Sequence, residues 1–157
     1  MTGRCILAIR IRSSIGATED VKSALTLLRL GKTNYATLLD DRPSYVGMLR
    51  QVKERITWGE ADAETILELL KKRGEVQGGH QIDENTLNEL GYSNLEELSK
   101  ALCGCEVEFS KLRGVKPFFR LHPPSKGFRG KTKHSYGAGG EAGYRGEKIN
   151  ELASKMM

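Results

Sequence analysis

The chain has 157 residues, enough for one domain with a core and an appendage but hardly for two full domains. Hydrophobic residues make up only 38% of it, which predicts that part of the chain does not join the core. It contains no apolar run of about 18 residues, and its N-terminus lacks the apolar stretch of a secretory signal. We therefore expect no membrane span and no export, and the cytosol is the default location.

The net charge of +5 is distributed very unevenly along the chain. Residues 1–53 carry +5, residues 54–108 carry −8 and residues 109–157 carry +8. Between residues 111 and 140 there are eight basic side chains and no acidic one. Because a solvated surface usually mixes both signs, a block of one sign predicts a polyanionic partner, for which nucleic acid is the obvious candidate.

The first sixty residues alternate between strand and helix patterns. Residues 5–12 end in alternating isoleucine and arginine, which predicts a strand with one buried face. Thr18 can cap a helix that Gly31 ends. A second strand over residues 35–39, a short helix and a third strand over residues 56–58 follow. The order β-α-β-α-β predicts an α+β fold, with a ferredoxin-like split βαβ core in residues 1–60 and helices on one face of its sheet.

Residues 61–124 are interpreted as an acidic helical extension that completes the domain. Leucines at helical spacing predict three short helices, the last two capped by Asp83 and Asn94, with their charges solvated. Residues 116–121 are predicted to return a last strand to the sheet or to run along its edge, where proline is tolerated.

Residues 125–157 form an extended basic tail. Residues 125–146 hold seven glycines, five Lys/Arg and almost no aliphatic side chains. Such a segment buries too little apolar surface to offset its ordering entropy, so we expect it to be disordered until a partner orders it. A short amphipathic helix over residues 147–157 is predicted to close the chain.

Several motifs that could indicate chemistry are incomplete. Residues 125–132 approach a phosphate-binding P-loop, but Ser125 stands where glycine is needed and no helix pattern follows. Residues 126–128 resemble the start of an RNA-recognition motif without its further aromatic residues. Cys5, Cys103 and Cys105 are odd in number and lack a second ligand pair, so we expect reduced thiols and no metal site. No histidine or carboxylate pattern indicates catalysis or a cofactor, and the prediction is a protein that is not an enzyme.

The positive signal is the arrangement of basic residues. Lysine and arginine supply the counterion release that dominates nucleic-acid affinity, and glycines let the backbone approach phosphate closely. Phe128, Tyr136 and Tyr144 could stack on unpaired bases. The alternative is a tail that is merely disordered. The candidate RNA-binding residues from this pattern are Arg10, Arg12, Arg42, Arg50, Lys53, Lys126, Arg129, Lys131, Lys133, His134 and Arg145.

Nearly the whole chain also resembles, in the same order, the large-subunit ribosomal protein family L-thirty, called L-seven in eukaryotes. Single pieces are weak, but the ordered set is specific, and the chain is most similar to archaeal members. Bacterial members resemble only about residues 5–58, and eukaryotic members begin with a long basic extension. The matching stretches are residues 9–16, 27–30, 48–50, 57–59, 72–74, 131–134 and 139–143, with Ile149, Asn150 and Leu152.

The resemblance implies a ferredoxin-like core, no catalysis and a position on large-subunit ribosomal RNA near the 5S RNA. It also implies that the turn over residues 12–16 lies against RNA, which adds Ser13, Ser14 and Gly16 to the candidate residues. We therefore expect ribosomal RNA and neighbouring ribosomal proteins as partners, with no membrane and no small-molecule substrate. The alternatives are a ferredoxin-like regulatory domain that binds a metabolite, an RNA-modifying enzyme, or an RNA-binding module outside the ribosome.

Overall fold

The computed structural model describes residues 4–13, 15–128 and 130–157, and of Lys133 the backbone alone. Its centre is a six-stranded sheet with the order β4-β2-β1-β3-β6-β5. The strands are β1 (Ile6–Arg10), β2 (Tyr35–Leu39), β3 (Ile56–Glu60), β4 (Phe119–Arg120), β5 (Lys131–Ser135) and β6 (Gly140–Tyr144).

Three helices begin at the predicted caps Thr18, Asp83 and Asn94, and a fourth begins at Asp62, which was not identified as a cap from the sequence. Thr18 and Asp62 accept hydrogen bonds from the backbone N–H of the third residue of α1 and α3, and Asp83 and Asn94 do the same for α4 and α5. Each cap satisfies a donor that would otherwise lack a partner at a helix start. The helices are α1 (Glu19–Leu27), α2 (Pro43–Gln51), α3 (Ala63–Arg73), α4 (Glu84–Leu90), α5 (Leu95–Cys103) and α6 (Ile149–Met156).

The split βαβ topology is present. β1 lies between β2 and β3 and is antiparallel to both, with Ile6 opposite Leu39 on one side and Glu60 on the other. β2 and β3 are therefore parallel, and α2 crosses between them over one face of the sheet. The predicted α+β fold with a ferredoxin-like core is confirmed. The returning strand β4 pairs with β2 at the sheet edge through Ala36 and Phe119.

Both faces of β1 are buried, whereas the sequence predicted one buried face and helices on one side of the sheet. Ile6 and Ala8 pack with residues of α1 and α2, and Leu7 and Ile9 pack with residues of α3, α5 and α6. The acidic extension is the reason, because its leucine stripes need an apolar surface and cover the second face of the sheet.

The basic tail is folded, so the expectation of disorder is wrong for its described residues. β6 pairs in parallel with β3, with Thr57 opposite Gly143, and β5 pairs in parallel with β6. The glycines permit close packing of the two tail strands: a β-carbon on Gly140 would collide with the carbonyl oxygen of His134. The tail obtains its apolar partners from outside itself, since Ala142 packs in the same core as α3.

Candidate nucleic-acid interface

One end of the sheet collects the loops that carry arginine and lysine. The N–H of Asn34 donates to the carbonyl oxygen of Arg10 (2.8 Å), and the N–H of Ile11 donates to that of Arg55 (3.0 Å). These bonds join the loops before β2 and β3 to the end of β1. We call this surface the basic end, and its cations are Arg12, Arg29, Lys32, Lys53 and Arg55.

Among the described residues, the cations of the basic end have no carboxylate partners. Within residues 4–13, 15–128 and 130–157, none of the five forms an ion pair. Two of them contact carbonyl oxygens: Arg55 Nη1 donates to that of Ser13 (2.6 Å), and Arg12 Nη1 donates to that of Glu54 (3.4 Å). Backbone carbonyls orient a guanidinium without cancelling its charge, so this end keeps the positive potential that attracts a polyanion.

The turn after β1 presents exposed groups beside these cations. Ser13 is exposed, Gly16 has the left-handed φ of +79° that favours glycine, and the side chain of Ile15 is 86% exposed. Ser14 lies outside the described residues. The described part of the predicted turn therefore combines an arginine held by a carbonyl oxygen, an accessible backbone and the exposed apolar side chain of Ile15.

The opposite end of the sheet is acidic and contains Arg42, which the sequence grouped with the RNA-binding residues. Arg42 follows β2, and its guanidinium donates to both carboxylate oxygens of Asp40 (Nε–Oδ1 2.8 Å, Nη2–Oδ2 2.6 Å) and contacts Glu108 closely. These bonds raise the pKa of Arg42 above its ordinary value and lower the pKa of Asp40. The structure thus separates Arg42 from Arg12 and pairs it with two carboxylates, contrary to the prediction.

Arg10 is buried, with 4% of its surface exposed, and does not leave the first strand toward solvent as predicted. It shares the face of Ile6 and Ala8, which α1 and α2 cover. Its Nη1 donates to the carbonyl oxygen of Leu30 (2.9 Å) and its Nε donates to that of Arg12 (2.9 Å). Burial, and then the nearby Arg55, lower the pKa of Arg10. Arg10 is a structural residue beneath the basic end.

Arg145 is also interior, with 9% exposure, and is not a free tail cation. Its Nη2 donates to Oε2 of Glu141 (2.6 Å), and its Nε donates to the hydroxyl of Thr57 (2.7 Å). The guanidinium also lies 4.9 Å from the centre of the Tyr136 ring. Arg145 therefore links the tail to β3 through Thr57, and its guanidinium packs against the ring of Tyr136.

Five further predicted residues are exposed. Arg50 and Lys53 are exposed at the end of α2, beside the basic end. Lys126, Lys131 and His134 are exposed on the tail. Because β5 and β6 run parallel to β3, Lys131 lies toward the same end of the sheet as the start of β3. Arg129 and the side chain of Lys133 lie outside the described residues.

Three residues of the basic end were missed in the sequence: Arg29, Lys32 and Arg55. Arg29 and Lys32 belong to the loop after α1, and Arg55 immediately precedes β3. The predicted fold could have identified these three cations, because the split topology brings the end of β1 together with the starts of β2 and β3. Applying that rule to the loops would have selected these three cations.

The three cysteines are free thiols, Cys5 buried and the other two half-buried. Burial raises the pKa of each thiol, so the reactive thiolate is disfavoured. Among the described residues, no group of histidine, cysteine and carboxylate side chains is arranged to hold a metal ion. None of the described helices is long and apolar enough to cross a membrane.

The structure defines an α+β protein of the ferredoxin-like class, with cations at one end of its sheet that form no ion pair within the described part of the chain. The family model described as ribosomal protein L30p/L7e matches residues 6–56. Large ribosomal subunit protein uL30 of Methanopyrus kandleri is 43% identical over 94% of this chain and 100% of its own length. The uL30 proteins of Thermofilum pendens and Methanobrevibacter smithii are 45% and 42% identical, each over 96% of this chain and over 97% and 99% of their own lengths.

The chain therefore belongs to the ribosomal protein L30p/L7e family, a family of structural proteins rather than enzymes. The resemblance seen in the sequence is confirmed over nearly the whole chain. Its archaeal character is confirmed as well, because the relatives named above are archaeal.

Proposed function

We propose that this protein is a structural constituent of the large ribosomal subunit, in the cytoplasm, and that it binds ribosomal RNA and supports translation without catalysis. Its family membership supports this proposal, since each relative described above is a large ribosomal subunit protein. Neighbouring ribosomal proteins are the expected further partners.

The unpaired charge of the basic end is the observation that carries the RNA-binding proposal. Arg12 and Arg55 are held by carbonyl oxygens, and exposed cations such as Lys32 surround them. Phosphate contacts of this kind fix the position of a protein on RNA, while the shape of the RNA selects the site. We infer that the turn over residues 12–16 lies against the RNA, with Lys126, Lys131 and His134 extending the contact along the tail.

We place this contact near the 5S RNA, an inference that rests on the family resemblance. Directed hydroxyl-radical cleavage tests it, with an iron chelate tethered to Lys32→Cys in a chain whose natural cysteines are replaced by alanine. We expect cuts in 5S RNA from position 32 and none from a matched tether at Glu96→Cys on the acidic α5. Equal cleavage of 5S RNA from both positions, or none from position 32, would contradict this placement.

Sedimentation of tagged protein with large subunits through a high-salt wash tests the central proposal. One variant replaces Arg29, Lys32 and Lys53 by glutamine, and a matched control replaces Lys71, Lys72 and Lys100, which lie on α3 and α5. The wild type and the control should remain with large subunits, and the basic-end variant should be released. If the wild type binds free RNA but never sediments with subunits, the protein is an RNA-binding module outside the ribosome and the proposal fails.

A further inference from the structure

An open cavity of about 430 Å³ lies between the tail strands and α6. Its size falls within the roughly 300–1,000 Å³ of small-ligand sites. The cavity has aromatic, glycine and cationic lining together with two carboxylates, Glu141 and Glu151, and we call it the tail cavity. Its lining includes Phe128, Tyr136, Gly139, Arg145, Lys148 and Lys155.

Tyr136 is an aromatic platform in this cavity. The guanidinium of Arg145 lies over its ring at 4.9 Å from the centroid, yet 37% of Tyr136 remains exposed. Arg145 covers one face of the ring, so a base that stacks on Tyr136 has to approach the other face. Arg145 is itself fixed by Glu141 and Thr57, so the ring rests on a rigid support rather than on a mobile side chain.

Cations stand beside the platform. Lys148 and Lys155 line the same cavity, one just before α6 and one in its last turn. Lys148 pairs with Glu151 at 3.6 Å, but both side chains are more than 60% exposed (62% and 64%), and exposed pairs contribute little. Gly139 has a left-handed φ of +80°, and beyond its chain neighbours no atom of the described residues lies within 4 Å of the position of a β-carbon, so this wall of the cavity has room for a planar ring.

We propose that the tail cavity binds one unpaired nucleotide of an RNA, with its base stacked on Tyr136 and its phosphate beside Lys148 and Lys155. This inference rests on the proposed RNA-binding function and gives it a specific contact. A planar base can stack on the ring face opposite Arg145, and base–aromatic stacking tolerates any base. An unpaired nucleotide is required because the bases of a helix are already stacked and closed to the ring.

Binding of two RNA duplexes tests the proposal. One carries a single bulged 2-aminopurine nucleotide and the other an abasic residue at the same place. The wild type should bind the first roughly tenfold more tightly, the scale of one base stacked on an aromatic side chain, and should quench its fluorescence. Tyr136→Leu should remove the difference and the quenching, whereas Tyr136→Phe, which keeps the ring, should retain both. Tyr45→Leu is the matched control, because it removes a ring that also carries a guanidinium (Arg42, 4.8 Å from the ring centre) but does not line the tail cavity.

The outcomes separate this inference from the proposed function. Equal binding of both duplexes by the wild type, with a normal salt dependence, overturns the nucleotide site but leaves RNA binding by the basic end intact. Absence of binding to either duplex and to large-subunit RNA overturns the proposed function. If adenosine monophosphate competes at the same concentration as the bulged duplex, the cavity is a site for free nucleotides and the RNA assignment is wrong.

Discussion

Arg10 and Arg12 are close in sequence but have opposite environments because the strand ends between them. β1 ends at Arg10, and the N–H groups of Ile11 and Arg12 both donate to the carbonyl oxygen of Arg55, at 3.0 and 3.2 Å. In a regular strand, successive side chains point to alternate faces of the sheet. That regularity ends here, because the single carbonyl oxygen of Arg55 accepts from two consecutive N–H groups. Arg10 consequently stays under α1 and α2, and Arg12 reaches the basic end.

Replacing these two arginines should separate stability from RNA binding. Arg12→Ala should weaken binding to cognate RNA by about 1–3 kcal/mol, the scale of a hydrogen bond to a charged group, with little effect on unfolding. Arg10→Met should lower the free energy of unfolding by about 1–3 kcal/mol, because the buried carbonyl oxygen of Leu30 and the partly buried one of Arg12 lose their donor. Urea denaturation and binding isotherms on cognate and scrambled RNA measure both. Equal losses on the two RNAs for Arg12→Ala would mean that the turn does not recognise shape.

At the scale of elements, the tail shows what sequence composition can and cannot predict. The strands and helices of residues 1–60 follow from local periodicity, and so do the caps at Thr18, Asp83 and Asn94. The folding of residues 125–146 does not, because its partners lie far away in sequence: Arg145 bonds to Thr57, and β6 pairs with β3. The composition of a segment reports its own apolar residues. It does not report the apolar residues of distant segments against which it packs.

The buried pair of Glu141 and Arg145 should control the order of the tail strands. Glu141→Gln removes the carboxylate from a guanidinium that is 9% exposed, and breaking such a pair costs roughly 3–5 kcal/mol. We expect amide protons of residues 131–144 to lose protection in the free protein, with β1 still protected. Glu147→Gln, at an exposed position, is the control. Rapid exchange of residues 131–144 in the wild type would instead restore the disordered tail that composition predicts.

A second element contact depends on pH. Glu75, just after α3, accepts hydrogen bonds from Arg120 (2.6 Å) and Lys116 (3.2 Å) and so ties down the segment that contains β4. Burial alone would raise the pKa of Glu75, but the bonds from Arg120 and Lys116 outweigh it and lower the pKa. The folded state therefore holds the proton less tightly than the unfolded state. This contribution to stability is present above about pH 4.3 and is lost as the pH falls below that value.

Glu75→Gln should accordingly destabilise the protein by about 1 kcal/mol at pH 7, a small value because Arg120 is half exposed. The difference from the wild type should be smaller at pH 3 than at pH 7, because the contribution is lost as the pH falls through the lowered folded-state pKa of Glu75. Urea titrations at the two pH values measure it, with Glu68→Gln, exposed on α3, as the control. A difference that persists unchanged at pH 3 would show that the charge of Glu75 is not responsible.

Over the whole molecule, the topology places basic side chains at one end of the sheet and acidic side chains at the other. The basic block of residues 111–140 does not form a single surface, because Arg120 and Lys116 are neutralised by Glu75.

The candidate site was predicted in part from the sequence: Arg12 and the exposed tail cations could be identified from spacing and charge. Which cations lack a carboxylate depends on contacts such as that of Arg42 with Glu108, 66 residues away, which no local pattern contains.

This polarity predicts that lysines differ in their effect on binding according to the end of the sheet they occupy. Each cation that neutralises a phosphate contributes about 0.7–0.9 to the slope of log affinity against log salt. Lys32→Ala at the basic end and Lys131→Ala on β5 should each lower the slope by that amount and weaken cognate and scrambled RNA alike. Lys100→Ala on α5 removes the same charge among the acidic helices and should leave the slope unchanged. Isotherms over a salt series distinguish the cases, and equal slopes for all three variants would mean that net charge, not its placement at one end of the sheet, determines the affinity.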